Sequence, residues 1–395
     1  MLPAGNLQEE IPMADQEQLE RLTHSIDLWN LWRQKHPEIR PDLSYADLKG
    51  AYLNHANLGR ANLVEATLNH AALNHTNFGG AKLGRADLSD ADLCLANLSH
   101  ADLNGANLSR ADLCEAKLGR TFLIDAVLNR ANLSRAFLSE TILNKADLRE
   151  ANLSRATLTE ARFNGAKLNR ANLREADLRE ADLIKSDLSG ADLNRASLPE
   201  AMLNMANFEG ADLSEAMLSG ANFTRANLRG ANLSRAILIR TILVRANLDR
   251  ANLSHAQMWG TILGELDLRS VKGLETVVHK GPSNLSINTL YISHGNVPEI
   301  LVRGTGAPNS FIDYMPSLLT IPIQYHSLFL SHSYRDQAFI RHLHNDLQKQ
   351  GVRCWLASHD LRPGTPIVRG IEEAIHLHEK LLLILSKDAV NSPWV

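Results

Sequence analysis

The sequence ADLNGANLSR ADLCEAKLGR, residues 101–120, contains the same five-residue pattern four times. Each unit has Ala, then a residue that is most often Asp or Asn, then Leu and two variable residues. The register continues without insertion or deletion from Leu43 to Leu268, with Phe or Met at a few of the Leu positions. A period of five fits neither an α-helix nor a β-strand, so each unit is predicted to form one step of a larger coil.

The two regular apolar positions indicate how the coil is filled. Leu is predicted to fill the interior, and Ala to occupy a place too tight for a larger side chain. Thr replaces Ala at 121, 141, 241 and 261, positions that differ by multiples of twenty. This spacing predicts four units per coil, hence a rod of about eleven coils and roughly 55 Å.

This unit resembles that of the pentapeptide-repeat family, and the resemblance covers residues 41–268. It implies a mainly β fold, a right-handed four-sided β-helix. Some family members imitate DNA and bind type II topoisomerases, which requires a strongly negative surface. Residues 41–268 carry 25 basic and 27 acidic side chains. The near balance disfavours DNA imitation, which stays an alternative hypothesis, and no nucleic-acid partner is expected.

Charged residues of the repeat also form columns. Twenty-residue stacking places Glu140, Glu160, Glu180 and Glu200 in one column, where a cation could bind or where Arg179 and solvent could screen the repulsion. The second explanation is favoured, and no metal site is predicted. The last coils are rich in arginine, which indicates either a solvated face or a docking patch for an acidic partner or another rod; the solvated face is favoured. These residues are Arg225, Arg229, Arg235, Arg240, Arg245 and Arg250.

Two of the three cysteines, Cys94 and Cys114, are also twenty residues apart. Their Cα atoms are expected about 5 Å apart, within the range that a disulfide allows. The two side chains are expected to run parallel, and the compartment is expected to be reducing. Both expectations favour free thiols that act as small packing residues on neighbouring coils. The prediction is therefore two unbonded cysteines.

Residues 1–40 are predicted to cap the first coil, because an open solenoid end exposes unpaired backbone. Asp15 and Gln18 resemble a capping box, and apolar residues recur at helical spacing up to Trp29. One helix is predicted over 15–36. The alternative is a partner-binding helix that displays Trp29 and Trp32.

Residues 269–325 lose the five-residue register and gain Gly and Pro. This segment is predicted to be a compact connector that seals the C-terminal end of the rod. Its β-like runs are Leu285–Ile292 and Glu299–Val302. No catalytic spacing is found in it.

From residue 326 to 395 the pattern alternates strand and helix, which predicts a parallel α/β sheet. The helix Asp336–Lys349 is expected to bury Phe339, Leu343 and Leu347. This segment resembles a bacterial Toll/interleukin-1 receptor (TIR) domain. The matching motifs are 329–333 (FLSHS, the first box), 359–364 (HDLRPG, the second box) and 392–395 (SPWV, the entry to the next helix).

The resemblance implies a partial flavodoxin-like fold and a signalling role through contacts between TIR domains, with other TIR domains or a second copy as partners. The interaction loop would contain Asp360, Arg362, Pro363 and Gly364. The alternative is a purely structural oligomerising scaffold.

Many TIR domains hydrolyse NAD, so NAD is a possible substrate, and no tightly bound cofactor is expected. The residues that the resemblance assigns to its binding are Phe329, Ser331, His332, Ser333 and Trp394. The family's catalytic glutamate would follow the Trp394-Val395 pair by three residues, beyond Val395, so no catalytic residue is assigned. The domain is expected to be truncated, and NAD hydrolysis is expected of a complete domain rather than of this chain.

The composition of the 395 residues sets the remaining expectations. The net charge is −3, and no apolar run approaches the roughly 18 residues of a membrane span. Met1–Glu20 does not have the order of a secretory signal, and three cysteines cannot form a disulfide framework. A cytoplasmic protein without a membrane partner is predicted.

Overall fold

The computed structural model describes residues 14–318, 328–331, 336–349, 354–356 and 380–383. Two compact units divide the chain, Met1–Pro316 and Ser317–Val395. In chain order the helices and strands are α1 Gln16–His24, α2 Ile26–Lys35, β1 Gln257–Met258, β2 Ile262–Leu263, β3 Val278–His279, β4 Asn284–Leu285, α3 Ile287–Ile292, α4 Glu299–Arg303, α5 Asn309–Leu318, β5 Leu328–Ser331, α6 Gln337–Lys349, β6 Cys354–Leu356 and β7 Lys380–Leu383.

The repeat forms a solenoid in which every coil has twenty residues. The residue before each Leu makes a parallel bridge to the residue twenty positions later, as Asp102 does to Phe122. Four such bridges occur in each twenty residues, so four parallel ladders run along the rod. Because equivalent residues stack directly, each side of the rod is a column of residues twenty apart in the sequence.

Leu and Ala line the interior, as the sequence predicts. Leu103 and Ala101, for example, are both fully buried. Thr at the Ala position is also fully buried, and its hydroxyl donates to a main-chain carbonyl of the preceding coil, as from Thr121 Oγ1 to Leu98 O at 2.7 Å. The Ala position is therefore less tight than predicted, because a hydroxyl with a bonding partner fits there.

Each corner of the coil is a turn whose last residue has a left-handed backbone conformation. The amide of the next Ala donates to the Leu carbonyl three residues earlier, as from Ala106 to Leu103 at 3.0 Å. The second residue after each Leu has a φ near +60°, for example Arg110 at 58° and Gly105 at 67°. A non-glycine residue in this conformation costs on the order of 1 kcal/mol, so the ladder and the packed interior must offset that cost at many corners.

The N-terminal cap consists of two helices rather than the single predicted helix. Ser25 separates α1 from α2: its backbone is extended, with φ −162°, and its hydroxyl accepts from the Leu28 amide. Asp15 is the N-cap of α1 and accepts from the Gln18 amide, which agrees with the predicted capping signal. A serine inside an apolar pattern favours such a local bond over a continuous helix.

Helix α2 packs on the first coils through the side chains of Trp29 and Arg33. The Trp29 side chain is fully buried, and its indole N–H donates to Asn57 O at 2.9 Å. Arg33 donates to the carbonyl oxygens of Ile39 and Gly59 at 2.6 and 3.0 Å. The alternative in which Trp29 is displayed to a partner is therefore wrong.

The segment after the repeat continues the ladders and then becomes helical. Strands β3 and β4 pair in parallel with β1 and β2. The runs predicted to be β-like are mostly helix instead, since they contain α3 and α4. Ser286 is the N-cap of α3, and its side chain accepts a hydrogen bond from the Thr289 amide. This helix-start signal lies inside an apolar run, which by itself is typical of a strand.

Helix α3 covers the last coil with hydroxyl side chains. The amides of Leu266 and Leu268 donate to Thr289 Oγ1 and Ser293 Oγ at 3.2 and 3.0 Å. In return, the Thr289 hydroxyl donates to Leu263 O at 3.1 Å. Without these bonds, the amides and the carbonyl group of the last coil would have no hydrogen-bond partner.

The second unit contains a three-stranded parallel sheet in the order β6-β5-β7, with α6 between β5 and β6 in the chain. The strands and α6 agree with the predicted alternation. The prediction that Phe339 is buried is wrong, because Phe339 is 59% exposed whereas Ile340 and His344 are buried. Leu343 and Leu347, the other two residues of the predicted face, are half-buried. The buried face of α6 therefore lies closer to Ile340 and His344 than the apolar spacing indicates.

Candidate functional site

The carboxyl edge of the parallel sheet is the first candidate site. Strand β5 lies between the other two strands, with Ser331, its last residue, in register with Leu383 of β7. On its other side Leu330 is in register with Leu356 of β6. Ligands of open parallel α/β sheets bind beyond the carboxyl ends of the strands, where Ser331 lies.

Two of the five residues predicted to bind NAD lie on this central strand. Phe329 is in register with Trp355 and Leu381, and Ser331 follows two positions later. The other three, His332, Ser333 and Trp394, lie outside the described residues. The structure therefore brings Phe329 and Ser331 together on β5, and the roles of all five stay predictions.

The predicted interaction loop also lies outside the described residues. It comprises Asp360, Arg362, Pro363 and Gly364, between β6 and β7 in the chain. Both flanking strands pair directly with β5. The role of the loop stays a prediction.

The sides of the rod form the second candidate site, and many of their charges are paired between neighbouring coils. Arg110 bonds to Asp90 twenty residues earlier at 2.6 Å, and the bond from Arg110 lowers the pKa of that carboxyl. Arg120 bonds to Glu140 at 2.9 Å, and its hydrogen bonds likewise lower the pKa of that carboxyl. The acidic residues of these pairs are therefore ionised and neutralised in place, rather than summing to a strongly negative surface.

Arginines screen three members of the glutamate column. Arg120 bonds to Glu140 at 2.9 Å and also interacts electrostatically with Glu160. Arg179 bonds to Asp177 at 2.7 Å and interacts electrostatically with Glu180, so it contributes to the screening that the sequence predicts. Within the described residues, no group of three or more His, Cys, Asp or Glu side chains could hold a metal ion.

Cys94 and Cys114 form a disulfide bond, so the prediction of two free thiols is wrong. Their Cα atoms are 4.7 Å apart, as expected from coil stacking. Residues at equivalent positions of neighbouring coils meet the distance requirement of a disulfide without any change in the backbone. The twenty-residue separation in the sequence predicts this distance, but it does not determine whether the two thiols form a bond.

Two further features were not identified from the sequence. His279 of β3 has both ring nitrogens buried without a hydrogen-bond partner among the described residues, and burial lowers its pKa. Its ring lies over Gly304, where any side chain would collide with it. The described helices include none that is long and apolar enough to cross a membrane.

The fold thus defines a capped solenoid joined in one chain to a small parallel α/β unit. The family model for pentapeptide repeats matches eight times, the copies together spanning residues 42–269. The family model for the TIR domain matches residues 328–395. The chain belongs to the pentapeptide-repeat family and carries a TIR domain at its C-terminal end.

Solved structures similar to this chain are also pentapeptide-repeat proteins. HetL from the cyanobacterium Nostoc sp. strain PCC 7120, involved in heterocyst differentiation regulation, is 34% identical; the match covers 61% of this chain and 94% of HetL, with a TM-score of 0.31. Rfr23 from the cyanobacterium Cyanothece 51142 is 41% identical over 24% of this chain and 60% of Rfr23, with a TM-score of 0.21. No curated protein matches the chain.

Proposed function

We propose that this protein is a TIR-domain signalling protein in which the pentapeptide-repeat rod is the scaffold and contacts between TIR domains are the output. One observation carries the proposal: the TIR model matches residues 328–395 in the same chain as the capped solenoid. The partners are other TIR domains or a second copy of the chain. The proposed location of this activity is the cytoplasm.

The finer description of both units belongs to the same proposal. Four ladders with a twenty-residue period support a coil with four sides, and the right-handed sense is what the family implies. In the parallel sheet the order is β6-β5-β7, so the first strand of the unit lies between the second and the third. This order supports a flavodoxin-like arrangement of these strands. In that arrangement the carboxyl ends of β5 and β7 lie at the same edge of the sheet.

NAD is the proposed substrate of a TIR domain that includes the glutamate three residues after Val395. Phe329, Ser331, His332, Ser333 and Trp394 would then surround the nucleotide, and the glutamate would stabilise an oxocarbenium-like transition state. The position of Ser331 at the carboxyl end of the central strand supports this role. No step is assigned to a residue of the rod.

The test compares two glycine-to-glutamate substitutions. Gly364→Glu places a charge in the proposed interaction loop, and its expected effect is loss of self-association, because desolvating an unpaired charge in a contact is costly. Gly230→Glu adds the same charge at a corner of the rod with φ +64° and open space around it. Since glutamate already occupies such corners, as at Glu140, this control should fold and associate normally.

Sedimentation velocity of the 395-residue protein gives the readout. The proposal expects a lower mean mass for the Gly364→Glu variant over a range of concentrations, and an unchanged mass for the Gly230→Glu variant. Equal association of both variants would contradict a role for the loop. That result would instead favour a purely structural scaffold, which the closure of both rod ends by α2 and α3 also supports.

A further inference from the structure

A groove on the first coils of the rod is lined by three basic side chains. Arg40, Arg60, Asn62, Gly80 and Lys82 surround about 440 Å³ of open space, and this site is called the basic groove below. Arg60 and Gly80 occupy the same corner of neighbouring coils. Asn62 and Lys82 are bridge partners on the adjacent side, and Arg40 precedes the first coil. Coil stacking therefore brings residues that are distant in the sequence to one place on the surface.

The absence of a side chain at Gly80 makes this corner concave. Gly80 has the left-handed backbone of the other corners, with φ +66°, and a Cβ atom there would lie 3.7 Å from Cγ of Arg60. Most other corners of the rod carry a long side chain. In the same column, Glu140 follows Arg120 by one coil and bonds to it at 2.9 Å. Gly80 follows Arg60 in the same way but offers it no carboxylate.

The protein does not neutralise the three cations of the basic groove. Arg40, Arg60 and Lys82 are exposed, and in the part of the chain that the structure describes none of them forms an ion pair. Glu38 contacts the His36 ring instead, with 3.7 Å between its carboxylate and Nδ1. By contrast, eight arginines at other corners bond to an acid one coil away. They are Arg85, Arg110, Arg120, Arg130, Arg135, Arg155, Arg195 and Arg245.

The two carboxylates on the same side of the rod do not fill the groove either. Asp42 accepts hydrogen bonds from the Ser44 hydroxyl at 2.7 Å and from the Asn62 side chain at 2.9 Å. Asp102 is the bridge partner of Lys82 on the next coil, and it forms no ion pair among the described residues. Three like charges around one opening repel each other, so a bound anion would relieve that repulsion.

We propose that the basic groove binds a small multivalent anion that carries phosphate groups, with a diphosphate group as the best match. The guanidinium groups of Arg40 and Arg60 can each donate two parallel hydrogen bonds to phosphate oxygens, and Lys82 adds a compact positive charge. A diphosphate group places several charged oxygens in one short ligand, so it can contact all three cations at once. The volume of the groove lies within the range of small-molecule sites, about 300–1,000 Å³.

The first experiment titrates the full chain with pyrophosphate in a calorimeter, at low ionic strength and without phosphate, sulfate or divalent metal ions in the buffer. We expect Lys82→Gln to raise the dissociation constant at least about threefold, because one exposed ion pair to the ligand is lost. Lys167→Gln, at an exposed bridge position of another side, is the matched control and should leave the constant unchanged. No binding by the parent, or equal weakening by both variants, would show that the proposal is wrong.

Gly80→Glu is the sharper variant. It places a carboxylate over Arg60, fills the groove and should weaken pyrophosphate binding roughly tenfold or more. Gly50→Glu adds the same charge at the opposite corner of the first coil, where φ is +64° and the space is open, and should bind like the parent. Circular dichroism checks that both variants fold, as expected because Glu140 occupies such a corner. Pyrophosphate binding that Gly80→Glu leaves intact, or that both variants weaken equally, would overturn the site.

Two further titrations test the class of ligand. Citrate is multivalent but carries carboxylates, each with two oxygens where a phosphate group presents three, so it should bind at least about threefold more weakly than pyrophosphate. Equal binding of both anions would overturn the assignment to phosphate. Phosphatidylcholine vesicles that contain phosphatidic acid present the same phosphate chemistry on a lipid. Co-sedimentation with them that Gly80→Glu abolishes would overturn the assignment to a soluble ligand.

This inference does not rest on the TIR proposal. Every residue of the basic groove belongs to the first unit, Met1–Pro316. Gly364→Glu should therefore leave pyrophosphate binding unchanged, and Gly80→Glu should leave self-association unchanged. Loss of pyrophosphate binding in the Gly364→Glu variant would contradict a site confined to the rod.

Discussion

The two ends of the rod are closed by different kinds of contact. At the N-terminal end, α2 inserts the buried Trp29 side chain and uses long side chains to reach carbonyl groups. At the C-terminal end, α3 places short hydroxyls where the last amides need acceptors. An open solenoid end requires partners for its backbone groups, and either a large apolar wedge or a set of local bonds can supply them. The wedge should contribute more stability, because it also buries apolar area.

Removal of this wedge, the buried Trp29 side chain, should have the largest effect on stability. We expect Trp29→Ala to reduce the free energy of unfolding of the rod by about 3–5 kcal/mol, since it leaves a cavity and the Asn57 carbonyl without its donor. Tyr52→Ala is the control, because Tyr52 is 85% exposed. Urea denaturation followed by circular dichroism measures both. Similar losses for both variants would show that the N-terminal cap does not depend on the wedge.

Loss of the disulfide bond within the rod should have the second largest effect on stability. Breaking the Cys94–Cys114 bond opens a twenty-residue loop, which the chain-entropy model values at about 3 kcal/mol. We expect Cys114→Ser to lower the free energy of unfolding of the oxidised protein by that order, and to have no such effect under reducing conditions. Cys354 takes no part in this bond, so any effect of Cys354→Ser should be the same in oxidising and reducing conditions. Equal stability of oxidised parent and Cys114→Ser would rule out a stabilising bond.

The hydroxyl cap should show a smaller effect. Thr289→Val keeps the shape of the side chain and removes both the acceptor for the Leu266 amide and the donor to the Leu263 carbonyl. We expect a loss of about 1–3 kcal/mol, the cost of leaving buried polar groups unsatisfied. Thr67→Val, on a side of the rod and without a side-chain bond within the described residues, should change little. A neutral Thr289→Val would mean that solvent satisfies the last coil.

The smallest effect is expected from pH at the C-terminal end. Burial lowers the pKa of His279 below its ordinary value near 6.5, so the folded protein disfavours the charged imidazole. The contribution is fully present above pH 6.5 and is lost as the pH falls toward the folded pKa. We expect His279→Phe to lose less stability between pH 7 and 5 than the parent. Parallel pH profiles of the two proteins would contradict this assignment.

The repeat was the part of the fold that the sequence predicted best. Its five-residue period and the Thr positions led to the twenty-residue coil, which the bridges confirm. The periodicity determines which residues stack, because each contact is repeated at a constant separation. The disulfide was missed because spacing gives the Cα separation but not the direction in which two thiols turn. Similarly, spacing did not reveal that Arg179 bonds to Asp177.

Irregular segments were predicted less well. The single capping helix is two helices, because the Ser25 hydroxyl caps α2 in place of a continuous turn. The β-like runs after the repeat are helical, since Ser286 and the packing of α3 on the last coil outweigh the β propensity of their side chains. For the TIR site, sequence motifs identified the strands, and β5 is central, but the roles of His332, Trp394 and the loop stay predictions.

The order of residues along the chain was sufficient to determine the solenoid, its inward-facing Leu and Ala, and the class of its C-terminal domain, because a strict period and compact motifs encode contacts locally. Tertiary structure alone decided which charges pair between coils and which side chains seal each end. Those properties depend on which side chains meet after the chain has coiled, and many pairings of similar energy are compatible with the same spacing.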